Sequence, residues 1–528
     1  MSAMRAFSLA CFAAISVSAL GACKAVVTSA SGSPDAGAGA SGGSGPAPCP
    51  AEGCDPPVPT ACTPGESIPC YDGPAGTIGV GRCRSGLATC AADGSGYGIC
   101  VGQVQPRAEI CGTTSDDDCD GVTLPCTEVP AWFLAFEGST QTSQPLRVTF
   151  DRDGDLLVAA YFPDPSIHDF ALIKVDPWGT ELARLSLGSF DLRFAAAPDG
   201  GLVVASSDNN GFSGELRIRR YDAAWQPVFD RTFSAGPAWP SAIDVDAEGN
   251  TVLAGAFTGF VQFGELSIGP AYGNTPDTFV ASFDPAGNVR WAKRVIEGAT
   301  GEPQGIQTVS MDALGNAVLV GAGSPNAVVD FGAGPVSVAA GGFADVLLAK
   351  LDPAGAPLWV QRFNGNPMTD NIRGRLDAQG HVYIVGNTGD GLDFGGGPLG
   401  SQGGFAAVFD PAGNYVRSFD VNSSGGWIND FAIDAAGNIV LAAAMHGGMG
   451  TYDDQAHLSR WSPDGELLTS QDFGDADVQE AGGLVLDAAG NPSFVGYSCG
   501  TIDVGTGPHP NTSTDTSCNV FLARTLMP

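Results

Sequence analysis

Histidine is scarce in this 528-residue chain, at five copies, and positive charge is scarcer than negative: 24 Lys and Arg stand against 57 Asp and Glu, a formal net charge of −33. None of the five, His168, His381, His446, His457 and His509, has metal-ligand spacing to another. No G-x-S-x-G, phosphate-binding loop or H-E-x-x-H motif occurs, so the common hydrolase chemistries have no local signature here. The shortage of basic residues excludes nucleic acid and anionic lipid as partners held by charge. It favours cations, Ca²⁺ above all, or simply keeps an exported protein soluble. Beyond the N-terminus no segment approaches the roughly 20 apolar residues of a spanning helix. Helical spacing of apolar residues is missing too; the apolar runs alternate with period 2.

What is present begins with residues 1–22, where Arg5 precedes the apolar stretch FSLACFAAISVSAL. That stretch is too short to span and fits a secretory signal. It ends in Leu20-Gly21-Ala22-Cys23, which resembles the lipobox of bacterial lipoproteins; the resemblance implies lipidation of Cys23 and attachment by lipid alone. Lys24, in place of an Asp, points to the outer membrane or cell surface of a Gram-negative cell. An ordinary signal peptide cut near Ala22 is the alternative. Residues 23–48 form a flexible Gly/Ser/Ala/Pro tether.

Residues 49–128 carry Cys49, Cys54, Cys62, Cys70, Cys83, Cys90, Cys100, Cys111, Cys119 and Cys126. An even count behind a secretion signal reads as a disulfide framework replacing a sparse apolar core. The sequence leaves the pairing open. Without a histidine or a Cys-x-x-Cys pair, the segment is no zinc site.

From 130 to 528 the chain repeats. A turn of the form Asp-x-x-Gly-Asn recurs seven times, as in DVDAEGNTVLAG and AIDAAGNIVLAA, with glycines at 154, 200, 249, 315, 380, 437 and 490. A second turn, as in ASFDPAGNVRW and AKLDPAGAPLW, alternates with it, with RYDAAWQPV a degenerate copy. Four short strands per repeat make one propeller blade. AWFLAFEG near 131 matches the pattern of a fourth strand, and the chain stops after a third, NVFLARTLMP. The fold class expected is therefore all-β: a seven-bladed β-propeller of four-stranded blades, closed by an N-terminal strand and preceded by a small disulfide-rich domain and a disordered tether. Four inserts resemble one another, VQFGELSIGP, VDFGAGPVSV, LDFGGGPLGS and IDVGTGPHPN. They fall mainly between second and third strands and so gather on one face, which is where a binding face is expected. The Cys499–Cys518 pair staples the last of them.

These turns and aromatic fourth strands resemble the bacterial β-propeller repeats named for the SBBP motif, which implies a surface protein without known catalysis. Residues 62–100 with AEICGTTSDDDCDG are similar to the cysteine-rich stalks of bacterial surface lipoproteins and to the metal-binding repeat of copper-binding MopE-type proteins; Gly112 and Thr113 interrupt that repeat.

Asp116, Asp117, Asp118 and Asp120 crowd around Cys119 and read as a calcium cluster or a solvated acidic turn. Asp151, Asp153 and Asp155 have calcium-loop spacing, but Gly154 comes too early for an EF-hand, and a hairpin turn is expected. Trp239, Asp370, Trp427, Asp430 and Glu480 read as loop residues following fourth strands and lining the insert-bearing face; the tryptophans suit a carbohydrate or protein ligand, or ordinary packing. The function expected is a non-catalytic binding or adhesion module, monomeric, with no required cofactor other than an optional calcium. Two alternatives stand beside it: a metal-dependent lyase or hydrolase using His168, His446 or His509 with carboxylates such as Asp169, and a calcium-stabilised envelope protein.

Overall fold

Six of the seven repeats are pinned by the aspartate of their first turn. A computed structural model describes residues 62–527 apart from 82, 92–93, 99, 101–102, 107–115, 117–118, 120, 122–128, 137–146, 165–166, 189–190, 208–213, 270–274, 299–304, 339–343, 365–371, 389–390, 401–402, 422–425, 446–453 and 513–517. In it, Asp246 Oδ1 accepts the Glu248 and Asn250 N–H groups at 2.9 and 2.8 Å, and Oδ2 accepts from Asn250 Nδ2 at 2.8 Å. Gly249, at φ +84°, takes the left-handed conformation the turn requires. Asp312 and Asp434 repeat the pattern, and Asp284 and Asp410 repeat it in the second turn series. Where histidine replaces the asparagine, His381 Nδ1 lies 2.9 Å from Asp377 Oδ2, so the ring stands in for the amide. Where Ala197 replaces the aspartate, the turn still closes: Gly200 N–H donates to Ala197 O at 3.0 Å, and Asp199 Oδ1 accepts Gly201 N–H at 3.1 Å.

The strands assemble into seven four-stranded antiparallel blades. Their inner strands are Arg147–Phe150, Asp191–Ala196, Ala238–Val245, Ile306–Met311, Arg373–Leu376, Trp427–Ile433 and Gln479–Leu486, in blades 1 to 7. The outer strands of blades 1 to 6 are Glu181–Ser186, Pro227–Ala235, Val289–Glu297, Pro357–Phe363, Tyr415–Val421 and Leu467–Phe473. The outer strand of blade 7 comes from the other end of the repeat region: Trp132–Phe136 pairs with Asn519–Arg524, from Trp132↔Arg524 to Phe136↔Val520. The ring is closed as its repeats require, by a strand from the start of the repeat region that completes the last blade.

The apolar core is divided among the joints. Each of the seven buried clusters combines residues of two neighbouring blades, and the closure joint is one of them: Phe136, Val495 and Leu522 of blade 7 pack with Val148, Val158 and Ile173 of blade 1. The aromatic that opens an outer strand has its own task. Trp291 Nε1 donates to Pro353 O of the next blade at 3.1 Å, and Trp359 Nε1 to Pro411 O at 3.2 Å, each ring lying over the glycine of that Asp-Pro-x-Gly turn. Blade 1 lacks such an aromatic, and blade 2 supplies it instead. Trp225 occupies the glycine position of the degenerate turn, at φ +59°, and packs with Leu185 into the shared cluster.

The inserts require a correction. They do not stand up as a rim; they fold back on the outer strand of the preceding blade. Val261–Phe263 and Leu266–Ile268 form a hairpin that extends blade 2 through Ala235↔Val261, and Val328–Val329 extends blade 3 through Ile296↔Val329. Phe394 packs on Phe363 at 5.0 Å, and Thr501 N–H reaches Asp475 Oδ2 at 2.7 Å. The reason lies in the shared motif: Phe263, Phe331, Phe394 and Val504 are all buried, so this position is an apolar plug between blades. Cys499–Cys518 ties down the last strap.

By compactness the chain divides into Met1–Ile68 with Ala88–Ile99, and Pro69–Leu87 with Cys100–Pro528. The first unit holds Cys62–Cys90, beside a 2.9 Å contact between the Ser67 and Thr89 hydroxyls; the second holds Cys70–Cys100 and Cys83–Cys119. Cys23, Cys49, Cys54, Cys111 and Cys126 lie outside the described residues.

Candidate functional site: the axial channel

Inner strands run from the insert-bearing face to the tight-turn face, and their channel-facing side chains meet on the axis. Four arginines converge there. Arg147, Arg193 and Arg373 each stand four residues before the turn position (Asp151, Ala197, Asp377), and Arg375 two residues before it. Arg147 interacts electrostatically with Arg193, Arg373, Arg375 and Asp430, residues of blades 2, 5 and 6, which only the channel brings together.

Their partners come from the next one or two blades round the ring. Arg193 Nε donates to Ser241 O at 2.8 Å, and Arg373 Nε to Asn429 O at 3.0 Å. Arg375 Nη2 donates to both Asp430 oxygens, at 3.1 and 3.0 Å, and to Leu484 O at 3.2 Å. Asp430 also accepts Leu484 N–H at 3.0 Å, as Asp244 accepts Met311 N–H at 2.7 Å. Burial pushes the Asp244 carboxyl up to about 6, against the pull of the Met311 and Val245 backbone N–H groups and of Arg375. Glu480 accepts from Asn429 Nδ2 at 2.8 Å and from the Tyr497 hydroxyl, which burial and then this carboxylate hold well above the usual tyrosine range.

The sequence-predicted site residues are only partly brought together. Trp239, Trp427, Asp430 and Glu480 belong to inner strands, not to loops: the ladder to the second strand already includes Trp239↔Ala256, Trp427↔Ala444 and Glu480↔Tyr497. Asp430 and Glu480 are spent on cross-blade bonds. Asp370 lies outside the described residues, as do Asp117, Asp118 and Asp120. Asp116 Oδ2 accepts Gly121 N–H at 2.9 Å. At the Asp151 turn a lysine sits among the carboxylates, Lys174 Nζ lying 2.7 Å from Asp151 and 3.0 Å from Asp155. Among the described residues no group of three metal-ligating side chains converges.

Among the described residues no two histidines share a site. His509 sits in the blade 7 strap, stacked on Phe133 at 4.1 Å with Nε2 2.7 Å from Thr506 Oγ1. His168 and Asp169 are in the third strand of blade 1, away from the axial strands, and His446 lies outside the described residues. The channel arginines went unread in the sequence, although their shared offset from the turn was there to find.

No protein-family model matches the chain, and no curated protein matches it in sequence. Among solved structures it is similar to the WD40 domain of Toxoplasma gondii coronin, at 9% identity over 76% of this chain and 87% of that one, with a TM-score of 0.39. It is also similar to the β-propeller domain of the Trilobed protease from Pyrococcus furiosus, at 8% identity over 71% and 98%, with a TM-score of 0.38. Puromycin hydrolase matches at 16% identity over 69% of this chain and 51% of its own, with a TM-score of 0.40. At these values the likenesses say nothing about activity; the seven-bladed β-propeller is the level at which the chain is placed.

Proposed function

We propose that this chain is a lipid-anchored surface protein of the SBBP-repeat type, in which the propeller serves as a binding module and takes its ligand at the insert-bearing end of the channel. One observation carries the reading. Charged groups converge on the axis, while the tight turns are saturated by their own aspartates and the inserts are consumed as interblade plugs. Trp239 and Trp427 support it, because each opens an inner strand at the same distance from its turn and so flanks the channel mouth.

The anchor part rests on Leu20-Gly21-Ala22-Cys23. In cells fed labelled palmitate, the wild-type chain takes up label and fractionates with membranes; Cys23→Ser abolishes both. The binding part is tested by probing glycan and protein arrays with the full-length mature chain. Retention of a ligand that Trp239→Ala or Trp427→Ala weakens supports it. No retained ligand, together with substrate turnover by the purified protein, overturns it in favour of an enzyme.

A further inference from the structure

The channel arginines follow a rule with one exception. Four inner strands carry a β-bulge, between Pro240 and Ala242, Ile306 and Thr308, Ile428 and Asp430, and Ala481 and Gly483. The extra residue of a bulge leaves the ladder. Its carbonyl is then free to turn sideways, and Ser241 and Asn429, the bulge residues of blades 3 and 6, give theirs to Arg193 and Arg373 of the preceding blades. Blade 1 precedes a blade with no bulge. The inner strand of blade 2 pairs without interruption from Asp191↔Ser207 to Ala196↔Leu202, so it has no bulge residue to offer Arg147. Arg147 Nε is accordingly shielded from solvent with no hydrogen-bond partner.

The charges around it do not make up the deficit. Asp430 is engaged by Arg375 and Leu484, Asp244 by Met311, and Glu480 by Asn429 and Tyr497. What faces Arg147 is more cation: burial first, then Arg193 and Arg373, disfavour its charge, with Asp430 opposing and Arg375 adding to them. An arginine Nε shielded from water and left unpaired is costly, and a group bearing two or three oxygens in a plane or a fork is the ligand that matches a guanidinium. The net charge of −33 works against polyanions, whereas at physiological salt surface charge is screened beyond about 8 Å, so a compact anion inside the channel feels mainly the arginines.

We propose that Arg147, flanked by Arg193 and Arg373, binds an oxyanion group, carboxylate or phosphate, of a small ligand entering the channel from the insert-bearing face. This deepens the binding-module reading and rests on it. The arginines of blades 2 and 5 are positioning residues held by neighbouring carbonyls; Arg147 is left to make the contact.

The test is calorimetric titration of the full-length mature protein in low-phosphate buffer with citrate, galacturonate, inorganic phosphate and, as the neutral control, galactose. At least one oxyanion is expected to bind, more weakly as NaCl is raised, and galactose not to bind. Carboxylate and phosphate arms separate the two sources of the group. Arg147→Gln should weaken binding about tenfold or more, the usual weight of a charge-assisted hydrogen bond, and Arg147→Lys should weaken it too, because the fork is lost while the charge remains. Arg217→Gln, which removes an exposed ion pair with Asp230, should leave it unchanged. Melting temperatures without anion check that each variant folds; should Arg147→Gln fail to fold, Arg147→Lys and the wild-type titration still decide. No oxyanion binding by the wild type overturns the proposal, as does binding that both Arg147 variants retain. An array ligand that binds equally well to Arg147→Gln, with no oxyanion response, would overturn this proposal while leaving the binding-module reading intact.

Discussion

The indole of Trp132 donates its N–H to the carbonyl of Pro177 at 2.8 Å, across the seam where the last blade meets the first. Trp291 with Pro353, and Trp359 with Pro411, make the same contact at interior joints, so the seam is locked by the device used within the ring.

Removing that device should therefore be expensive. Trp132→Ala is expected to lower stability by about 3 kcal/mol, the low end of the range for truncating a large aromatic, because Trp132 is half-buried. Trp132→Phe keeps the packing, loses the hydrogen bond and should cost about 1 kcal/mol. Urea unfolding of both variants measures the two terms separately. Gly179→Ala should also destabilise, since its φ is +88° and a Cβ there would meet the Trp132 ring at 2.8 Å.

The turn aspartates make a second prediction. Asp246→Ala leaves Glu248 N–H, Asn250 N–H and Asn250 Nδ2 without their acceptor, and should cost about 1–3 kcal/mol in the same measurement. Asp410, whose turn is exposed, should cost less, because water replaces the lost acceptor.

Asp244 makes stability depend on pH. Its folded-state value of about 6 lies above that of an unfolded aspartate, so the native state holds the extra proton between about pH 4 and 6. Stability from this group is thus full below about pH 4 and is lost as pH rises through 6. The group is partly open to the channel, which reduces the loss to about 2 kcal/mol. Asp244→Asn, which keeps an acceptor for the backbone, should flatten that part of the profile and be the more stable protein at pH 7. A variant that tracks the wild type at both pH 4.5 and pH 7 would show that the carboxyl titrates normally.

The last strap depends on its cross-link. Cys499 and Cys518 are 19 residues apart, and replacing both by serine should cost about 3 kcal/mol by the chain-entropy relation. Differential scanning calorimetry of the double variant checks it.

Much of the ring was legible because its marks are stereochemical. A turn that needs left-handed backbone selects glycine, and one that needs two backbone N–H groups accepted selects aspartate; both leave letters in the sequence. Trp132 could be matched to Trp291 and Trp359 for the same reason. The straps were misread because the sequence shows Phe263, Phe331 and Phe394 as inserts without showing which apolar gap they fill. The arginine set was missed because its pairing depends on bulges at Ser241 and Asn429, and a bulge carries no residue signature there. Trp225 was read as a defect of its turn, when it supplies an aromatic to a joint whose facing strand has Ala183 where Trp291 and Trp359 stand.

Closure by Trp132–Phe136 underlies both the channel and its arginines, since it fixes blade 7 against blade 1 and so places Arg147 on the axis. Native-state hydrogen exchange of the full-length chain tests it most directly. The amides within Trp132–Phe136 that ladder to Asn519–Arg524 should be protected as strongly as those of interior outer strands such as Val289–Glu297, and should open together with them. Exchange of Trp132–Phe136 at near-unfolded rates, while Val289–Glu297 stays protected, would contradict the closed ring.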